Sequence, residues 1–187
     1  MANHGSSWAW QVGQNELAQV LPRRWAHTRG VARAATEMAY LEGEDSVLLV
    51  AAAFLHDVGY APRLALSGFH PLDGARFLRD EHQADDRLVR LVANHTFALL
   101  EAEERGLREQ LEAEFPILDD QLLVEALTYC DITTTPDGTP TTAPARIAEI
   151  VARYGPDTVV GRFIQRAEPE ILATSAHVEQ ALAAQPR

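Results

Sequence analysis

The residues here whose types and spacing could do chemistry are His27, the adjacent pair His56-Asp57, His95 and Asp131. His27 shares a helical face with Val31, Ala34 and Met38, and His56 lies behind Leu49, Ala52 and Ala53. His95 follows Leu88, Leu91 and Val92, and Asp131 follows Val124, Leu127 and Thr128. Four separate helices thus each aim a histidine or carboxylate inward from an apolar stripe. A buried carboxylate must be paired, protonated or bound to a cation. No lysine exists to pair with these carboxylates, since all 16 Lys and Arg positions are arginine, and the arginines fall mostly on outward faces. Any one such histidine is more often a hydrogen-bonded structural residue, and Asp131 before "ITTTP" is also good turn chemistry. Taken together, they are what a metal centre inside a helical bundle requires. Imidazole nitrogen with carboxylate oxygen suits iron, manganese, zinc or nickel better than calcium.

The elements that must hold these residues read as helices almost throughout, with no convincing alternating strand. The periodicity predicts a helical region from Gln14 to Ala39 divided near Pro22, then a helix from Glu44 to Asp57 stopped by Gly59. A third begins at "HPLDGARFL", where Pro71 suits a first turn, and a fourth spans Ala84 to Thr96 and either continues or breaks into "FALLEAEERG". Further helices fit Leu107–Glu114, Asp119–Cys130, Pro144–Tyr154, Asp157–Arg166 and Pro169–Ala184. The stretch "TTTPDGTPTTAP", Thr133 to Pro144, carries prolines and a turn signal that forbid regular structure. The fold class is all-α: residues 1–19 form an N-terminal arm and short helix and residues 20–135 the metal-binding bundle. Residues 136–187 form a loop and additional C-terminal helices packed on the same domain.

Bulk properties narrow the function. A length of 187 residues with 47% apolar content suits one domain with a real core. The longest apolar run is far short of the roughly 20 residues a membrane span needs. The start "MANHGSSWAW" has no basic region followed by an apolar one, and the single cysteine, Cys130, fits a reducing compartment, so a cytoplasmic location is expected. A net charge of −11 argues against a nucleic acid polymer as partner. It leaves room for a small phosphorylated substrate, because a local metal or arginine overrides the global field.

At "HDVG" the ordered set of His27, His56-Asp57 and a distant Asp131 resembles the HD-domain superfamily of metal-dependent hydrolases, over residues 20 to 135. His70 in "GFHPLDGARFL" and His95 in "VANHT" sit where members with two metal ions carry extra ligands. The resemblance implies a helical bundle in which His27, His56, Asp57 and Asp131 surround one divalent ion. It implies that His70 and His95 hold a second, with Asp57 as the bridging, catalytically central carboxylate. Iron or manganese is expected first, with zinc or nickel as alternatives. Two such cations lower the pKa of a shared water and offset charge on a phosphoryl group. Many HD phosphohydrolases carry lysine three residues after the aspartate; here that position is Tyr60, and Arg63 in "GYAPRL" is the nearest basic candidate to contact a phosphate.

The resemblance therefore implies a phosphohydrolase that cleaves a phosphoester or phosphoanhydride bond in a small nucleotide-like molecule. Two alternatives share the ligand order: a mixed-valent di-iron HD-type oxygenase, and a non-catalytic ligand-sensing HD domain. Thr133 and Thr134 follow Asp131 closely enough to touch substrate, although a flexible connection is the simpler reading of their loop. His4, His82 and His177 read as surface residues, Trp8, Trp10 and Trp25 as packing of the amino end, and "EAEERGLREQLEAEF" as a solvated helix face. Self-association as a homodimer is left open.

Overall fold

The centre of the fold is a helix of small and branched apolar residues. In a computed structural model that describes residues 5–38, 40–41 and 43–184, α3 (Gly43–Leu55) buries Leu49, Ala51, Ala52, Ala53 and Leu55. Its three consecutive alanines let neighbours approach on several sides. α1 (Ser6–Leu17), α2 (Pro22–Thr36), α5 (Asp86–Asn94) and α8 (Gln121–Ile132) all pack on it. The remaining helices are α4 (His70–Asp80), α6 (Ala98–Glu104), α7 (Arg108–Glu114), α9 (Ala143–Tyr154) and α10 (Val159–Ala183). The fold is all-α; among the described residues the only β feature is one isolated antiparallel bridge, Thr134 to Pro140. No helix among them is long and apolar enough to cross a membrane.

Two helix boundaries differ from the sequence expectation. α1 begins at Ser6 rather than near Gln14, because Ala9 and Val12 extend the face that carries Leu17 against the core. Trp25 then packs beside Trp10 and Phe54, with ring centroids 6.3 and 6.2 Å away. Pro169, expected to separate two helices, lies inside α10. Proline removes one backbone N–H from the helix. Both halves nevertheless stay in one helix, because Phe163, Ile164 and Ala167 before it and Ile171 after it fill a single apolar cluster with Ile132, Ala143 and Ile147. This second cluster seats α9 and α10 beside the end of α8, where Asp131 is found.

Two close backbone approaches fix the rest. After α3 the chain makes a short 3-10 turn, Val58–Tyr60, against the start of α4. A Cβ at Gly59 would lie 2.1 Å from the His70 carbonyl oxygen and 2.5 Å from the Gly74 nitrogen, so only glycine permits this contact. The segment 133–142, expected as a flexible connection, is instead tied down. Thr141 N–H donates to Thr133 O at 2.8 Å, Thr135 N–H to Thr139 O at 2.8 Å, and Arg33 to Gly138 O at 2.9 Å. Gly138 (φ 78°) sits so near α2 that a Cβ on it would lie 2.2 Å from Ala26 O.

Candidate metal centre

Six side chains from five parts of the chain meet in one buried cluster. α2 supplies His27, the turn directly after α3 supplies His56 and Asp57, and the first turn of α4 supplies His70. His95 begins the 3-10 turn after α5, and Asp131 lies in the last turn of α8. Two sets of donor atoms lie within 4.8 Å of one another: His27, His56 and Asp57, and then Asp57, His70 and His95. Asp57 belongs to both. Its Oδ2 is 3.4 Å from His56 Nε2 and 3.8 Å from His27 Nε2, while its Oδ1 is 3.3 Å from His70 Nε2. Asp131 Oδ1 adds to the first set, 3.0 Å from His27 Nε2 and 3.8 Å from His56 Nε2.

The imidazoles are oriented by the backbone. His56 Nδ1 donates to Ala53 O at 2.8 Å, His95 Nδ1 to Val92 O at 2.7 Å, and His27 Nδ1 to Thr135 O at 3.0 Å. With Nδ1 protonated, His56 and His95 turn Nε2 toward the cluster, and His27 Nε2 lies at hydrogen-bond distance, 3.0 Å, from Asp131 Oδ1. His56 Nε2 is fully buried without a hydrogen-bond partner, and nearby Asp57 Oδ2 is out of line for one. His70 Nε2 and His95 Nε2 face each other at 3.1 Å. Nitrogens and carboxylate oxygens buried this close together need a proton or a cation between them. The donor set therefore fits a divalent metal: His27, His56, Asp57 and Asp131 would hold one ion and Asp57, His70 and His95 another.

The two carboxylates act on the rings around them, and at His56 they favour a proton in the place a metal cation would take. Burial works against ionised Asp57, but Arg24 and then His56 outweigh it and hold the carboxyl well below its ordinary value. Burial likewise opposes a charged His56, yet Asp57 and Asp131 push its imidazole up to about 9. Burial lowers His70 well below the usual histidine value despite Asp57, and it lowers His95 also, helped by His56. These two rings are kept neutral, the form that ligates a metal.

Arg63, expected to contact a phosphate, is not brought to the cluster. Arg63 binds Glu16 at 2.7 Å and Glu81 at 3.3 Å on the surface, outside the pocket that contains the cluster. Two carboxylates compete for its guanidinium there. The cation at the centre is Arg24, whose Nη1 donates to Asp57 Oδ2 at 2.8 Å. Its guanidinium lies 3.9 Å over the ring of Tyr60, which itself stacks on His70 at 3.9 Å. Arg24 stands three residues before His27 on α2, so the spacing carries a signal for it. Arg146 and Arg153 of α9 line the same pocket.

Thr133 and Thr134 return their hydroxyls to Tyr129 O and Cys130 O, capping α8 instead of facing the pocket. Within the acidic run, Glu101 is buried in the pocket wall and held by Arg105 at 2.6 Å, so that run is not wholly a solvated face. His82 packs edge-on against Trp8 and Phe77, and exposed His177 pairs with Glu125 at 2.5 Å. His4 lies outside the described residues.

The family model of the HD domain matches residues 24–155, a span that contains every one of the six clustered side chains. The chain belongs to the HD domain family. Comparison of this HD domain with curated proteins and with solved structures gives no match. The matched span runs past the expected boundary at residue 135 to include α9, while α10 lies beyond it.

Proposed function

We propose that this HD domain is a metal-dependent hydrolase that cleaves a phosphoester or phosphoanhydride bond in a small phosphorylated molecule. The observation that carries this reading is Asp57 shared between two donor sets, beside a buried His56 Nε2 that has no hydrogen-bond partner. Divalent cations held there supply a water of lowered pKa and offset phosphoryl charge.

The chain's own residues do the rest. Thr135 O, Ala53 O and Val92 O orient three imidazoles with Nε2 inward. Arg24 holds Asp57 in one rotamer and keeps it ionised, so one carboxylate oxygen faces each donor set. Arg24, Arg146 and Arg153 all line the pocket and offer N–H groups for phosphoryl oxygens. Ile150, Phe163 and Ile164 cover that pocket and limit the water that reaches it.

The test is phosphate release from a panel of phosphate esters by the full chain with manganese or iron, before and after chelation. Turnover that needs metal and is lost in His56→Ala supports the reading. Activity indifferent to both changes rejects it, and substrate-dependent oxygen uptake by a mixed-valent di-iron form would replace it with an oxygenase.

A further inference from the structure

We infer that the pocket over the metal centre takes the phosphomonoester of a compact apolar alcohol, not a nucleotide; this rests on the hydrolase reading above. One side of the pocket is the ligand cluster. The facing side is Ile150 and Tyr154 of α9 with Val160, Phe163 and Ile164 of α10. Ile150, Val160, Phe163 and Ile164 have no donor or acceptor with which to read a base or sugar, which leaves the Tyr154 hydroxyl as the one polar side-chain group on that side. The free space in this half-open pocket is about 100 Å³. Pockets for drug-sized ligands run about 300–1,000 Å³.

Charge in the same pocket suits a single phosphoryl group. Arg24 gives one N–H to Asp57, Arg146 gives Nε to Thr134 O and Nη1 to Glu149, and Arg153 gives Nη2 to Glu149. Each guanidinium carries five N–H groups, so each retains donors for an anion. Glu101 and Glu149, bound to Arg105 and to the two α9 arginines, limit the positive charge available for a longer phosphate chain. α10 lies outside the matched span, so Val160, Phe163 and Ile164 of this wall come from a part of the chain that the family model does not cover. In the reaction water's oxygen joins phosphorus and the ester P–O bond breaks. The leaving oxygen takes a proton from that water, giving the alcohol and inorganic phosphate.

The experiment titrates the full manganese-loaded chain calorimetrically with butylphosphonate, which has no ester bond to cleave, with adenosine 5′-monophosphate and with inorganic phosphate. Butylphosphonate is expected to bind at least about tenfold more tightly than either of the others, since its alkyl chain leaves water for the wall. Val160→Trp, which fills the wall, should weaken butylphosphonate about tenfold with manganese stoichiometry unchanged. Arg153→Gln, at an exposed helix position, should weaken butylphosphonate and phosphate alike. Equal or tighter binding of the nucleotide, or no gain from the butyl chain over phosphate, overturns the inference. Preferential butylphosphonate binding without phosphate release from butyl phosphate overturns the hydrolase reading alone.

Discussion

Thr96 donates its hydroxyl to Oδ2 of Asp131 at 2.5 Å from a left-handed backbone, φ 49° and ψ 48°. A β-branched residue held there costs about 1–3 kcal/mol, and Phe97 follows it in the same region at φ 58°. The strain lies directly after His95 and keeps one oxygen of Asp131 occupied, leaving Oδ1 toward His27 and His56. Thr96→Val, which keeps the shape and removes the hydroxyl, should weaken manganese binding about tenfold, as loss of a ligand-orienting partner does. Thr96→Ser should bind close to the parent in the same calorimetric titration. Equal affinities for all three proteins would refute a positioning role.

Sharing of Asp57 predicts a pattern of metal content. Elemental analysis of protein purified without chelator should give two equivalents for the parent and about one for His70→Ala or His95→Ala. Asp57→Ala should retain little of either ion. A His70→Ala protein that keeps two equivalents, or an Asp57→Ala protein that keeps one firmly, would count against the bridge.

Arg24 and Asp57 make an ion pair in which Asp57 is buried and Arg24 about one quarter exposed. Removing Arg24 leaves a buried carboxylate without its guanidinium. Arg24→Ala should therefore lower the stability of the metal-free protein by about 2–3 kcal/mol in denaturant titration, less than for a fully buried pair. Manganese should restore much of that loss by taking over the charge. A metal-free variant as stable as the parent would contradict the pairing.

A pH effect is expected far from the centre. Glu114 of α7 accepts from Arg76 and Arg79 of α4, and those bonds, Arg76 first, hold its carboxyl down to about 2 despite some burial. A depressed carboxyl contributes stability that is complete above its unfolded value of 4.5 and is lost as pH falls toward 2. The melting-temperature difference between the parent and Glu114→Gln should therefore be largest above pH 5 and shrink through that window. A constant difference from pH 6 to 3 would exclude the linkage.

Much of the centre was legible because burial and helical period travel together. His27, His56 and His95 end or share apolar stripes, and the structure brings them together, with Asp131 3.0 Å from His27 and 3.8 Å from His56. His70 was less legible from periodicity, since a first-turn residue has no preceding stripe; only the resemblance pointed to it. Nearness of Arg63 in sequence to His56-Asp57 does not bring it to the cluster, because Glu16 and Glu81 reach it from elsewhere. Arg24 sat on the His27 face and could have been found there. The left-handed turn at Thr96 has no local sign, because threonine rarely adopts it and tertiary contact imposes it. Pro169 reads as a breaker by residue type alone, but the apolar side chains on either side of it hold one helix together.

The Gly59 contact has a bearing on which ion this HD domain favours. Main chain meets main chain where the Val58–Tyr60 turn seats on α4, so no side-chain exchange can lengthen or shorten the span between His56-Asp57 and His70. That part of the cage has a set aperture. Adjustment to a larger or smaller cation radius must then come from His27, His95 and Asp131, the donors carried by helices free of that contact.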